Sequence, residues 1–582
     1  MERLILCLMM ILFASVTYGE NCGECHREEF PFSPYHDPKV IGCVSCHAEV
    51  EPKDKQNRLA HERYEAYPGR MKTLDRTCGK NGCHLEAAKN TRHSIMNRLE
   101  GMVRVTRDVF DETDPKAEVG FLLKSLSDHG ADSYLRKLCV SCHLSGERKN
   151  HSQSIKDRGG GCSACHLKTD RKKLPQAKRN NQKKLTHKRL TGRHPVLTIK
   201  IESERCFGCH SRSARTALNY YGYAEAVKVD SKRVDDFGYL ADNRLVEIKA
   251  KDLHKKAGMD CIDCHTMSGV MGDGQKARYQ KDQIDIQCLD CHGLKASKKS
   301  RDSFSDAELR LMALTANLEP LMTKNTVVST RKKKSPLFHV REKDGQRILR
   351  TKLGGQDRII SLIDATTHKG EMGHERLSCE ACHSAWAPQC YGCHISFDPE
   401  ISQWDHLKKR KTNGRWTEKK WHIVNDLPAL GVNGNKITPF IPGMNLTIEQ
   451  PGEKPLVKRL FSPVSPHTTR RKSRSCESCH KDDRSLGIIQ NWIKAPFDDN
   501  LTTPDGWIDK NQKNPGNSIY PGARSFSQNE IKKIKMVGKC LDCHPETQRN
   551  LYLTFKKSLE KIAGSLHPAK QKANSKRGEN LP

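Results

Sequence analysis

Long periodic apolar patterns are scarce along this chain. The one continuous apolar run, Leu4 to Val16 in "MERLILCLMMILFASVTYGENC", is 13 residues long, follows a charged start and precedes small Thr17 and Gly19. It predicts a cleaved secretory leader over 1–19, being short for a membrane span. Beyond it, helical spacing is confined to short stretches such as "SDAELRLMALTANLEP" and "TFKKSLEKIAGSL". Strand-like alternation shows in "RILRTKL", and "PALGVNGNKITPFIPG" is rich in turn residues. No repeat of fixed length is visible, which argues against a solenoid. The pattern therefore predicts a fold of mostly loops and short α-helices with little β, exported and without a transmembrane helix after leader cleavage.

Composition deepens the puzzle of what fills the interior. Only 35% of residues are hydrophobic and 6% aromatic, against 29% charged, in 582 residues. Ordinary apolar cores over several domains are not expected from that balance. The chain has 25 cysteines, far more than a reduced cytosolic protein of this size carries.

With Cys7 inside the leader, 24 cysteines remain, and 22 of them form eleven copies of Cys-x-x-Cys-His. In the N-terminal half these are Cys22, Cys25, His26; Cys43, Cys46, His47; Cys139, Cys142, His143; Cys162, Cys165, His166; Cys206, Cys209, His210; Cys261, Cys264, His265; and Cys288, Cys291, His292. The rest are Cys379, Cys382, His383; Cys390, Cys393, His394; Cys476, Cys479, His480; and Cys540, Cys543, His544. The spacing suits covalent haem: two thiols add to the vinyl groups of one porphyrin, and the adjacent histidine ligates the iron. Zinc sites share four ligands between paired Cys-x-x-Cys units and do not call for a histidine after every second cysteine. The remaining cysteines, in "RTCGKNGCHLEA", are Cys78 and Cys83, followed by His84. They read as a twelfth, longer site whose loop is relaxed by Gly79 and Gly82; a Cys78–Cys83 disulfide is the alternative.

Fifteen histidines lie outside these motifs, enough to give twelve irons a second axial histidine. His129, His151, His254, His374 and His467 shortly precede a motif and are the distal candidates. His187, His194 and His567 sit in basic or terminal segments, and His36, His61, His93, His339, His368, His406 and His422 complete the set. Motif spacing divides the chain into a five-haem part (20–166), a basic linker (167–200), a three-haem part (201–300), a four-haem part (301–545) with two haem-free insertions, and a polar tail (546–582). In this reading the macrocycles supply the core, and the fold is a multihaem cytochrome c architecture wrapped around a haem array.

The formal charge of +32 is concentrated in "LKTDRKKLPQAKRNNQKKLTHKRLTGRH". Twelve haem c groups, at about −1 each when ferric and about −2 when ferrous, would bring the total to roughly +20 or +8. Much of the basic excess then balances propionates, and the linker is a solvated segment or a docking patch for an acidic redox partner or an anionic membrane surface. Nucleic acid is not expected as a partner of an exported chain.

The motif array, with "CFGCHSRSAR", "HKKAGMDCIDCHTMSGVMGDG" and "PHTTRRKSRSCESCH", resembles the large multihaem c-type cytochromes of metal-reducing and other anaerobic bacteria. The resemblance implies twelve haems c and an electron-transfer role in anaerobic respiration, in the periplasm or at the outer surface. The implied partners are quinol oxidoreductases and periplasmic or outer-surface cytochromes. A conduit of six-coordinate haems is the leading reading. The alternative is a reductase of nitrite, hydroxylamine or tetrathionate with one open iron position.

Overall fold

The computed structural model describes residues 36–47, 65–112 except 66 and 81, 125–146 except 129, 160–168, 196–315 except 213–215, 325–365, 368, 374–488, 517–542 except 519, and 544. The leader, most of the linker and the tail lie outside them.

The expectation of mostly loops with little β, wrapped around a haem array, is overturned: strands from 223–248, from the two motif-free insertions and from the segment of the Cys390 motif pair into several sheets. Strands β1 (Tyr223–Glu225), β2 (Phe237–Tyr239) and β3 (Leu245–Ile248) form one antiparallel sheet in the order β1-β3-β2. β4 (Ser297–Ser300) pairs with β5 (Thr326–Ser329), and β6 (Val340–Lys343), β7 (Gln346–Arg350) and β8 (Asp357–Ile360) make a meander. "RILRTKL" thus supplies β7.

β9 (Ala387–Asp398), β12 (Arg415–Asp426), β13 (Ala429–Asn433), β14 (Lys436–Glu449), β15 (Leu456–Pro463), β16 (Asn517–Ser518) and β17 (Ala523–Arg524) build a seven-stranded sheet. A separate ribbon pairs β10 (Gln403–Asp405) with β11 (Arg410–Thr412). β14 carries β15 along one edge and divides the other between β13 and a parallel stretch of β9. Period-two burial explains the strands: Ile395, Leu446 and Ile448 are buried while His394, Thr447 and Glu449 are only partly so. The turn-rich segment closes the β13–β14 hairpin at Gly434–Asn435, where Gly434 has φ +62° as the first central residue of a type II′ turn.

Among the described residues five helices run to more than two turns: α1 (Leu85–His93), α2 (Glu100–Val109), α3 (Ser203–His210), α4 (Asp306–Thr315) and α5 (Gln528–Cys540). Among the described residues the apolar side chains fall into several small clusters rather than one core. The largest seats Val109, Phe110 and Tyr134 on the big sheet through Trp416, Cys393, Ile395, Leu446 and Ile448. Trp416 meets Phe110 and Tyr134 edge-on, with ring centres 5.5 and 5.7 Å away. The Cys139 motif is therefore packed against the sheet that contains the Cys390 motif.

Candidate functional site

Most described motifs occupy one helical turn: Val44–His47, Ser163–His166, the C-terminal end of α3, Cys261–Cys264, Cys288–His292, Cys379–His383 and Glu477–His480. Residues three apart share a helix face, so such a turn sets both thiols side by side with the histidine just beyond. In "CIDCH" and "CLDCH" the residue between the cysteines is itself structural. The buried Asp263 carboxylate accepts the Asp260 and Lys352 backbone N–H groups, both at 2.7 Å, and Asp290 accepts those of Gln287 at 2.7 Å and Arg331 at 2.8 Å. These bonds cap the motif turns and tie them to the β5–β8 region.

Among the described residues five pairs of histidine rings lie opposite each other at nearly one spacing. His36 and His84 have ring centres 6.0 Å apart, His254 and His292 6.1 Å, and His265–His467, His368–His383 and His374–His480 6.2 Å each. That distance alone would suit an ordinary offset aromatic pair. The composition of the pairs does not: each joins one motif histidine to one non-motif histidine, and no residue is used twice. Two imidazoles whose Nε2 atoms lie about 2 Å from a shared iron, with ring centres about 1 Å further out, would be separated by roughly 6 Å. The residues therefore fit an axially ligated haem iron, whether the ring planes are near-parallel, as at His265–His467 (8°), or steep, as at His254–His292 (60°).

The other ring nitrogen is anchored in five of these ten residues, and likewise in the motif histidines His47 and His166. Nδ1 contacts a backbone oxygen in His292 (Ser361, 2.9 Å), His383 (Arg470, 3.2 Å), His480 (Ile534, 2.8 Å), His467 (Ser465, 2.9 Å), His47 (Glu65, 2.8 Å) and His166 (Thr198, 3.0 Å). In His254 the contact is to the Asp252 carboxylate at 3.0 Å. A proton held on Nδ1 leaves Nε2 as the free lone pair, which is how ligating histidines are oriented. Burial pushes His84, His292, His374, His383 and His480 below the ordinary imidazole range, and His265 down to about 4. These rings are neutral at pH 7.

Three of the five distal candidates, His254, His374 and His467, are thus brought opposite motif histidines. His129 and His151 lie outside the described residues, as do Cys22, Cys25, His26 and Cys543. His36 and His368 were not singled out, although they precede Cys43 and Cys379 by seven and eleven residues, the same positional cue. The cue does not reveal the target. His254 faces His292 and not the following His265, His374 faces His480 and not His383, and His467 faces His265 and not His480. His339 is a core residue: it is fully buried and its Nε2 contacts the Asp263 carbonyl at 2.7 Å.

Two motifs depart from the helical form. Cys390–His394 runs within β9, where the ladder to β12 shifts register between Lys420 and Ile423. There Cys393 enters the Trp416 cluster while His394 Nε2 lies 2.9 Å from Glu449 Oε2. A haem held here would have to take His394 from that carboxylate. The Cys78–His84 loop closes through a His84 N–H bond to the Cys78 carbonyl at 2.9 Å. Gly82 has φ +82°, and a Cβ on Gly79 would come within 2.6 Å of the Ala88 methyl. Both glycines are thus required by the loop, and the Cys78 and Cys83 thiols are free, so the alternative disulfide is not formed.

The expectation of metal binding is overturned as far as the protein's own side chains go. Among the described residues no group of three or more His, Cys, Asp or Glu is placed to hold a metal ion. Burial also pushes the Cys139 and Cys264 thiols up to about 12, which disfavours the thiolate a bare metal would need. No protein-family model, curated protein or solved structure matches this chain.

Proposed function

We propose that this chain is an exported dodecahaem c-type cytochrome that conducts electrons in anaerobic respiration, working in the periplasm or at the outer surface between redox proteins. The observation that carries the reading is the set of five motif-to-non-motif histidine pairs at 6.0 to 6.2 Å. Each motif would tether one haem c through two thioethers, with its histidine as one axial ligand. The haem, once bound, supplies reversible one-electron chemistry at iron. The chain's part is to fix position and ligand field. At the five paired sites two imidazoles would both be available to the iron, with Nδ1 contacts holding several of the rings in orientation. A second histidine available at each of these five sites supports a conduit over the reductase alternative, which needs a vacant position.

Intact mass and pyridine haemochrome analysis of the exported protein should give twelve covalent haems, falling to eleven in the C78S/C83S variant. The ferrous protein should be low-spin and bind little carbon monoxide. A stoichiometric carbon monoxide-binding haem together with turnover of nitrite, hydroxylamine or tetrathionate would establish the reductase reading instead, and absence of covalent haem would refute both.

A further inference from the structure

The motifs touch one another in an ordered way. The Cys206 and Cys261 thiols hydrogen-bond, with Ser203 Oγ of α3 also 3.4 Å from Cys261 Sγ. The second cysteines of the next two motifs, Cys264 and Cys291, pack on one cluster around Met259, Val328 and Leu337. The thiol of the first cysteine of the latter motif, Cys288, then adjoins that of the first cysteine of another, Cys379. Along this stretch the contacts thus alternate between first and second cysteines. The line continues where the Arg474 N–H bonds the Cys382 carbonyl at 2.9 Å, and Ala381 and Cys479 share a cluster. It ends at α5, whose Gly538 abuts the His480 carbonyl two residues before Cys540.

Two further connections leave the same turn of α3. Cys209 Sγ lies 3.7 Å from the Cys142 carbonyl, and Cys139 of that motif packs beside Cys393 on the large sheet. On the other side, the Arg205 guanidinium bonds the carbonyl of Leu167, next to His166. From there Cys162 and Cys78 hydrogen-bond and pack together on Met71, Leu74 and Ala88. His36, seven residues before Cys43, faces His84 and so ties in the next motif.

We infer that the motifs form three arms meeting at Cys206–His210: one running to Cys540, one to Cys43 and one to the strand-borne Cys390 motif. The inference rests on the haem reading above and adds a branch point to it. A linear relay has one entry and one exit, whereas three arms let one electron source serve two outlets. Traffic along them is one-electron exchange, balanced by a donor protein at one end and one-electron acceptors at the others.

The test is a structure of the haem-loaded, full-length protein by electron cryo-microscopy, with covalent haem counted by mass on the same preparation. The three irons nearest the one on His210 should be those on His143, His166 and His265. A different trio, with the haems present, overturns the three-armed order and leaves the cytochrome reading standing. Protein that lacks covalent haem by mass, including protein in which Cys78–Cys162, Cys206–Cys261 or Cys288–Cys379 has oxidised to a disulfide in place of two thioethers, overturns the reading itself.

Discussion

The imidazoles of His265 and His467 face each other 6.2 Å apart with planes 8° from parallel, although about 200 residues separate them in sequence. His467 lies nine residues before Cys476 but serves the motif at Cys261. The backbone enforces this crossing: the Leu253 N–H bonds the Thr469 carbonyl at 2.9 Å, and the Thr469 N–H bonds the buried Asp252 carboxylate at 2.5 Å.

That crossing can be read by spectroscopy. His467→Met should change the axial ligation of one haem without altering the covalent haem count. In a C476S/C479S background the same change should still appear by magnetic circular dichroism. In a C261S/C264S background it should vanish, because the haem it acts on is gone. The opposite pattern would assign His467 to the motif that follows it.

The loop at Cys78 offers a test of packing. A methyl group on Gly79 would sit 2.6 Å from the Ala88 Cβ and 2.9 Å from the Leu74 carbonyl oxygen, which already accepts the Gly79 N–H at 2.7 Å. Gly79→Ala should therefore cost about 1–3 kcal/mol, as overpacking does. Gly208→Ala, between Cys206 and Cys209, has nothing within 4 Å of its Cβ and lies in α3, so it should be neutral or stabilising by up to about 1 kcal/mol. Denaturant unfolding of the two variants checks the contrast.

Arg136 and Asp405 make a buried ion pair, 2.5 Å long with both side chains 3% exposed, between the Cys139 motif and the β10–β11 ribbon. Asp405 also accepts the Leu407 and Lys408 backbone N–H groups at 2.9 and 2.8 Å. Asp405→Ala removes the buried partner and leaves Arg136 only the half-exposed Asp128 carboxylate and the Ser127 carbonyl, so it should cost about 1–3 kcal/mol, whereas an apolar replacement of both partners should cost less. A double-mutant cycle by chemical denaturation measures the difference.

How much of this was legible beforehand differs from one feature to the next. The motif cysteines and histidines stand in the sequence because their spacing is fixed and local, as the proposed covalent attachment would require. The turn at Gly434 and strand β7 were legible for the same reason, being local. The large sheet was not: β9 contains a Cys-x-x-Cys-His motif that suggests a helical turn, and its strand character comes from pairing with β12 and β14, a tertiary effect. Distal partners were half-legible. Position before a motif marked His254, His374 and His467, but pairing joins distant segments, so no local signal could say which ring each would face.

The last prediction concerns pH and the end of the C-terminal arm. Glu530 caps α5 together with Ser527 and receives bonds from Arg524 on β17 and Arg376, two residues after His374. The Arg524 guanidinium is the largest cause holding this carboxyl down at about 2. A carboxyl whose pKa is lower folded than unfolded stabilises the fold above its ordinary range, and that contribution fades as pH falls from about 4.5 toward 2. Because the network is largely solvent-exposed, its worth at neutral pH is about 0.5–1 kcal/mol. Glu530→Gln should therefore be less stable than the parent by that amount at pH 7, and the two should converge as pH approaches 2. Unfolding curves recorded at each pH would contradict the assignment if the gap stayed constant. Hydrogen exchange in α5 should be faster in the variant at pH 7, because the lost bonds anchor the first turn of the helix that ends at Cys540.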